Sequence, residues 1–518
     1  MKKILIANRG EIAVRISRAC REMGLTPVAV YSECDRSALH VRQADEAYAI
    51  GDSAPLESYL RVDRIVETAL ACGADAVHPG YGFLAEHEGF ARAVRDAGLT
   101  FIGPTPDAMA VMGSKTTART AAIRAGVPVV PGTAGPVPAE LSAAELETMA
   151  RSMGYPLLVK AVAGGGGKGM RTVTDAADLA EAVRAARSEA ASAFGDAAVY
   201  LERKLYRPRH VEVQLLGDLQ GTVLPFVERE CSIQRRHQKV LEESPSVVVT
   251  PPIRRSLAAA AARIAREVGY TSAGTIEFLL DEDGRFWFLE MNTRLQVEHP
   301  ITEAVTGVDL VQWQIRIARG ERLDLDADAL LTPRGHAIEC RIYAEDPDNG
   351  FLPSPGRIAV LRAPAGPGIR DDSGAVAGWE VPIFYDPLLS KLIAWSEDRP
   401  RAIARMRRAL DEYVVAGIKT TLPFFTWLLD QPEFVGGHFH TTTLDDILRE
   451  RNAQSFVKPT AEIEDMAVVA AALQALLPAA GHPGLEDQPT AAERRASRWT
   501  DRARFEAVEG LPGRAARL

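Results

Sequence analysis

Short apolar strand runs alternate with helical spacing through residues 1–114, which confines the start of the chain to a small doubly wound, Rossmann-like α/β arrangement. Residues 4–7 form a buried-strand run, Asn8-Arg9-Gly10 a tight turn, and Ile12, Ile16, Cys20 and Met23 share one helical face. Residues 27–31, 74–77 and 99–102 supply further strands. The first turn holds a single glycine where a dinucleotide fingerprint needs Gly-x-Gly-x-x-Gly, so NAD binding is excluded there.

The middle of the chain reads differently. After the Pro- and Gly-rich segment 126–132, residues 156–163 and 170–174 read as strands flanking Gly164, Gly165, Gly166, Gly167, Lys168 and Gly169. A Walker loop opens a helix with Gly-Lys-Ser/Thr; here Lys168 is followed by Gly169 and a strand, so the loop is a flexible flap whose N–H groups can cover phosphates. Residues 199–205 and 210–216 continue as strands. The segment 228–239 is dense in donors, with Gln234, Arg235, Arg236, His237 and Lys239, and suits an anion.

Residues 275–280 and 286–292 form a hairpin around the turn 281–284. Period-two alternation puts Phe286, Phe288, Glu290 and Asn292 on one face, with Trp287, Leu289 and Met291 on the other. Pairing Leu280 with Arg285 sets Glu277 opposite Phe288 and diagonal to Glu290, roughly 7–8 Å apart. Two carboxylates and an amide oxygen can then share one hard cation, for which magnesium is suited.

At 518 residues the chain exceeds one core, and roughly three domains are expected. No apolar run is long enough to span a bilayer and no signal-peptide pattern opens the chain. The five cysteines form no Cys-x-x-Cys pair, which fits a reducing cytoplasm. Net charge −9 argues against bulk nucleic-acid binding. Only ten residues are lysine against 50 arginines, yet Lys115, Lys160, Lys168 and Lys239 all fall in motif-like segments, where a compact point charge suits phosphate oxygens. From about residue 335 short strands and turns indicate a mostly antiparallel domain. An alanine-rich helix is expected over 461–477, then a linker over 478–489 and an Arg-rich end bearing Trp499.

Ile6-Ala-Asn-Arg-Gly-Glu-Ile, His78-Pro-Gly-Tyr-Gly-Phe-Leu, the flap, Gln234-Arg-Arg-His-Gln-Lys, Glu290-Met-Asn-Thr-Arg-Leu-Gln-Val-Glu-His-Pro and Phe351-Leu-Pro-Ser-Pro-Gly occur in an order that closely resembles biotin carboxylase. This is the ATP-grasp component of acetyl-, propionyl- and pyruvate-type biotin-dependent carboxylases. The resemblance implies ATP-dependent carboxylation of a biotin nitrogen by bicarbonate through carboxyphosphate. It implies that Lys115, Lys160 and the flap bind phosphates, that Glu202 and Leu205 line the adenine pocket, and that His210, Gln234 and His237 hold ribose and phosphate. Glu277, Glu290 and Asn292 would carry two magnesium or manganese ions. Lys239, Arg294, Gln296 and the Val297 backbone would hold bicarbonate, Glu298 would be the general base, and Arg341 would stabilise the biotin enolate, with Tyr81 a further biotin contact.

The same resemblance implies an N-terminal domain over 1–114, an ATP-grasp domain over 115–333 with a flap subdomain at about 131–204, a C-terminal domain over 334–446 and a tail over 447–518. No Met-Lys-Met motif occurs, so biotin is expected on a carrier protein, with a carboxyltransferase subunit as second partner, in a homodimer or larger complex and with neither nucleic acid nor membrane. The tail is either a docking element or a covering helix. Another ATP-grasp ligase making an acyl phosphate, or an inactive carboxylase scaffold, are the alternative functions.

Overall fold

A computed structural model describes residues 1–133, 135–162, 170–452, 454–456 and 461–476. Flap residues 164–169, the expected linker over 478–489 and Trp499 lie outside the described residues. Two compact units are present, Met1–Phe456 and Val457–Leu518. Of the second, the helix Ala461–Leu476 is described; Met466, Val468, Val469 and Leu473 on it are exposed. No described helix is long and apolar enough to cross a membrane.

The first unit opens with a parallel sheet of β1 (Lys3–Ile6), β2 (Thr26–Ser32), β3 (Glu46–Gly51), β4 (Ala76–His78) and β5 (Thr100–Phe101), in the order β3-β2-β1-β4-β5. The helix Gly10–Glu22 follows β1 as its spacing predicts, burying Ile12, Ile16, Ala19 and Cys20. Strand β3 is an addition to the four strands expected. It is an edge strand with only Ile50 fully buried, so its Glu-Ala-Tyr-Ala pattern carries little hydrophobic signal.

Three strands form a small antiparallel sheet ordered β7-β6-β8: β6 (Leu157–Ala161), β7 (Arg171–Val173) and β8 (Val199–Arg203). The largest sheet is antiparallel and eight-stranded. It contains β9 (Arg209–Gly217), β10 (Val223–Arg235), β11 (Gln238–Ser244), β12 (Ser272–Leu280), β13 (Phe286–Asn292) and β14 (His336–Tyr343) in the order β13-β12-β9-β10-β11-β14, and is completed by Leu388–Ser396 and Ile369–Ser373. The C-terminal strands therefore extend the central sheet across position 333/334.

Alternation along this sheet separates two kinds of surface. Val211, Val213, Ile276 and Phe278 pack against Leu257, Ala261 and Ile264 of the helix Pro251–Glu267. Ile338, Cys340 and Leu392 pack against Ala402 and Met406 of the helix Arg399–Glu412. The alternate positions, His210, Glu212, Glu277, Glu339 and Arg341, are buried and charged or polar. Such a face is costly unless its groups pair or bind ligand.

The hairpin register corrects the alternation expected from sequence. A β-bulge between Glu277 and Phe278 sets Glu277 directly opposite Glu290 and Phe278 opposite Phe288. Phe286 and Phe288 consequently join the apolar core with Met291, while Glu290 and Asn292 face Glu277. The extra residue at the bulge reverses the face halfway along the strand. The first compact unit runs to Phe456: the helix Thr443–Arg451 spans position 447, and Phe456 packs on Trp427 at 5.2 Å and Phe424 at 5.7 Å between ring centroids.

Candidate active site

Two strands, β9 and β12, and the loop after β13 converge on one ammonium group. Lys239 Nζ, on β11, donates to Glu212 Oε2 at 2.6 Å, Glu298 Oε1 at 2.7 Å and Glu277 Oε1 at 2.8 Å. Burial disfavours its charge, yet the three carboxylates hold it well above the ordinary lysine range. Glu212 is itself held by Arg229, which is fully buried and also donates to Gln214 and Thr302 at 2.9 Å and to Thr275 at 3.0 Å.

Glu298 is fully buried at the start of the helix His299–Thr306. Its second oxygen lies 3.0 Å from Arg341 Nη2 on β14. Burial would lift this carboxyl, but Lys239, Arg341 and Arg229 hold it well below the usual carboxylate range. Arg341 Nε also donates to Glu242 at 2.7 Å. Glu242 is pushed up to about 7 by burial against the pull of Arg341.

Arg294 points into the same region. It donates to Gln296 Oε1 at 2.9 Å, Asn292 Oδ1 at 3.0 Å and Glu86 Oε2 at 2.7 Å. Asn292 Nδ2 donates to Glu277 Oε1 at 2.8 Å and Gln296 Nε2 to the same oxygen at 3.3 Å. A cavity of about 460 Å³ is lined by Arg294, Val297, Arg341 and Tyr81, so one space reaches the expected bicarbonate and biotin residues.

The residues expected to bind a cation are Glu277, Glu290 and Asn292. Glu290 is raised by burial and, next, by the charge of Glu277 facing it across the rung. Two opposed carboxylates of this kind fit a hard divalent ion, which would relieve their repulsion. His210 Nε2 lies 2.9 Å from Glu277 Oε2, and His210, Glu212 and Glu277 bring ligand atoms within 4.8 Å of one another.

The residues expected at the nucleotide lie on or beside β6, β8, β9 and β10. Gln234 Nε2 donates to His210 Nδ1 at 2.8 Å. Lys160 on β6 pairs with Glu202 on β8. Lys115 reaches the Ala161 carbonyl at 3.5 Å, and burial lowers it below the ordinary lysine range. Leu205 is half-buried just beyond β8. His237 is exposed, at φ +68° in the β10–β11 turn beside Arg236 at +50°.

Sequence reasoning passed over several supporting residues. Lys391 is fully buried, donates to the Val297 carbonyl at 2.9 Å, lies 3.3 Å from Glu11 and 5.5 Å from the Tyr81 ring centroid. It is also the cross-strand partner of Arg341. Asn8 donates at 2.7 Å to the carbonyls of both Pro79 and Tyr81, fixing the loop that carries Tyr81. The scarcity of lysine could have flagged Lys391, and the donor-dense segment 228–239 contains Arg229; for Glu86 and Glu242 no local signal existed.

Comparison with known proteins gives three consecutive family matches: the biotin carboxylase N-terminal domain over residues 1–109, the carbamoyl-phosphate synthase L chain ATP binding domain over 114–326, and the biotin carboxylase C-terminal domain over 339–446. The chain is 52% identical over 445 residues to biotin carboxylase of Nostoc sp., covering 86% of this chain and 99% of that protein. It is 50% identical over 446 residues to biotin carboxylase 1 of Bacillus subtilis, covering 86% and 98%. Among solved structures, the biotin carboxylase domain dimer of Hydrogenobacter thermophilus 2-oxoglutarate carboxylase, in complex with MgADP, ADP and bicarbonate, superposes with a TM-score of 0.83 at 46% identity, covering 88% and 99%.

Proposed function

The chain belongs to the biotin carboxylase family, and on that premise we propose how its residues carry out ATP-dependent carboxylation of biotin by bicarbonate. The observation that carries the reading is the position of Glu298 between Lys239 and Arg341, beside the cavity lined by Arg294, Val297 and Arg341.

Bicarbonate is a poor nucleophile, so a carboxylate must take its proton as it attacks the γ-phosphate. Glu298 is assigned that role. While Lys239 grips it, Glu298 is too weak a base for the task. Turning the Lys239 ammonium toward phosphate and bicarbonate oxygens removes one of the charges that depress it and restores its basicity. Arg294 and Gln296 then compensate the charge of the deprotonated carbonate, and the Val297 N–H orients it.

Lys115, Lys160 and His210 are assigned to the nucleotide phosphates, with the flap to exclude water from carboxyphosphate. Glu202 and Leu205 are assigned to adenine, and Gln234 and His237 to ribose and phosphate. Glu277, Glu290 and Asn292 would hold magnesium, which neutralises the triphosphate for in-line transfer. Removing the ureido proton of biotin leaves a negative oxygen, for which Arg341 supplies fixed donors, with Tyr81 against the ring.

We assign the biotin to a carrier protein that also serves a carboxyltransferase, with the first half-reaction confined to this chain. A match to the biotin carboxylase C-terminal domain over 339–446 disfavours another ATP-grasp ligase. The presence of Glu277, Glu290, Arg294, Glu298 and Arg341 disfavours an inactive scaffold. Incubation with MgATP, labelled bicarbonate and free biotin tests the reading. Acid-labile labelled carboxybiotin and ADP are expected in equal amounts; bicarbonate-dependent ADP without labelled biotin contradicts it.

A further inference from the structure

The cavity that reaches Arg341 opens between two loops that carry unusually exposed apolar side chains. Pro55 and Phe384 line it, and their immediate neighbours Leu56 and Ile383 are each 75% exposed. Among the described residues only Tyr206, at 76%, is a more exposed large hydrophobic. A pair of this kind beside a reactive cavity marks an interaction surface more readily than scattered surface apolar residues do.

The two loops form one supported platform. The Tyr385 hydroxyl donates to the Ser53 carbonyl at 2.5 Å, tying the second loop to the first. Behind them Tyr59, Phe83 and Tyr385 form an aromatic cluster, with Tyr59 5.0 Å from Phe83 and 5.5 Å from Tyr385 between centroids. Arg9 stacks over the Tyr385 ring at 4.2 Å. The rim is thus braced from below while its outward side chains, Leu56 and Ile383, are three-quarters exposed.

We propose that Leu56 and Ile383 form the docking rim for the protein domain that presents biotin, holding that domain while its biotinylated lysine enters the cavity toward Arg341. This rests on the biotin carboxylation reading above, and it commits to a macromolecular occupant because the cavity is continuous with the rim. Free biotin filling the cavity leaves Leu56 and Ile383 wet; a carrier domain at the mouth covers them, and removing their apolar surface from water favours its binding.

The test compares two substrates, free biotin and a purified, fully biotinylated carrier domain, with the full chain and with Leu56→Asp, Ile383→Asp and the double variant. The wild-type chain is expected to show a higher kcat/KM for the carrier than for free biotin. Each substitution should lower the carrier kcat/KM by about tenfold, through KM, and leave free-biotin carboxylation unchanged. Free-biotin turnover reports folding, and Leu56→Ser with Ile383→Ser serves if the charged variants are insoluble. An unchanged carrier KM overturns the proposal, as does an equal loss on both substrates or a wild-type chain with no preference for the carrier. A change in oligomeric mass with unaltered carrier kinetics assigns the rim to a second copy and also overturns it. Failure of the wild-type chain on both substrates would contradict the carboxylation reading itself, a result distinct from any of these.

Discussion

Arg341 and Glu298 are joined at 3.0 Å across the interior of the site, on the opposite side of the carboxylate from Lys239. The residue assigned to biotin therefore also depresses the base assigned to bicarbonate, and the two half-reactions are electrostatically linked.

Arg341→Ala should separate them. Carboxyphosphate forms before biotin is deprotonated, so bicarbonate-dependent ATP cleavage should persist while carboxybiotin falls by about two orders of magnitude or more. Burial opposes ionisation of Glu298 and Arg341 favours it, so loss of the guanidinium raises the carboxyl. The acid limb of the ATP-cleavage profile should accordingly move to higher pH. Equal loss of both activities with an unmoved acid limb would assign Arg341 to folding or to ATP.

Lys391→Met removes the donor behind Val297. The KM for bicarbonate should rise about tenfold with the KM for ATP unchanged, because only the positioned backbone is disturbed. Glu11, which burial raises to about 7 against the pull of Lys391, should rise further. The folded variant then keeps a proton that the unfolded chain has lost, so its stability should fall as pH rises through neutrality. Parallel increases in both KM values would count against a positioning role.

The ends of the alternating pattern explain what could be read in advance. The Glu290–Glu298 cluster, the donors around Gln234 and Lys239, and four of the five strands of the opening sheet were legible because each is a pattern local in sequence. The facing of Glu277 on Glu290 was not, since a bulge inserts one residue and alternation alone cannot register it. Nor were the partners of Arg229 and Lys391, which come from other strands and loops. The continuity of the eight-stranded sheet across 333/334 likewise depends on pairing of β11 with β14, which composition does not reveal.

Glu290→Gln retains the shape of the β12–β13 rung and removes one of its two opposed charges. The magnesium concentration giving half-maximal ATP cleavage should rise at least about tenfold, with partial recovery at high magnesium. An unaltered magnesium dependence would remove Glu290 from the cation site.

Truncation should distinguish the two possible ends of the catalytic unit. A chain ending at Phe456 should carboxylate free biotin at the full rate. One ending at Asp446 loses the aromatic packing of Phe456 on Phe424 and Trp427 and should be less stable by about 1–3 kcal/mol in denaturant melts. Equal stability of both forms would show that Phe456 contributes nothing to the core.

The most direct test of the catalytic account is bicarbonate-dependent ADP release by Glu298→Gln. The amide preserves shape but cannot accept the bicarbonate proton, so turnover should drop by roughly two to four orders of magnitude with the KM for ATP little changed. Near-normal ADP release by this variant would contradict the assignment of Glu298 as the base and, with it, the mechanism proposed for the site.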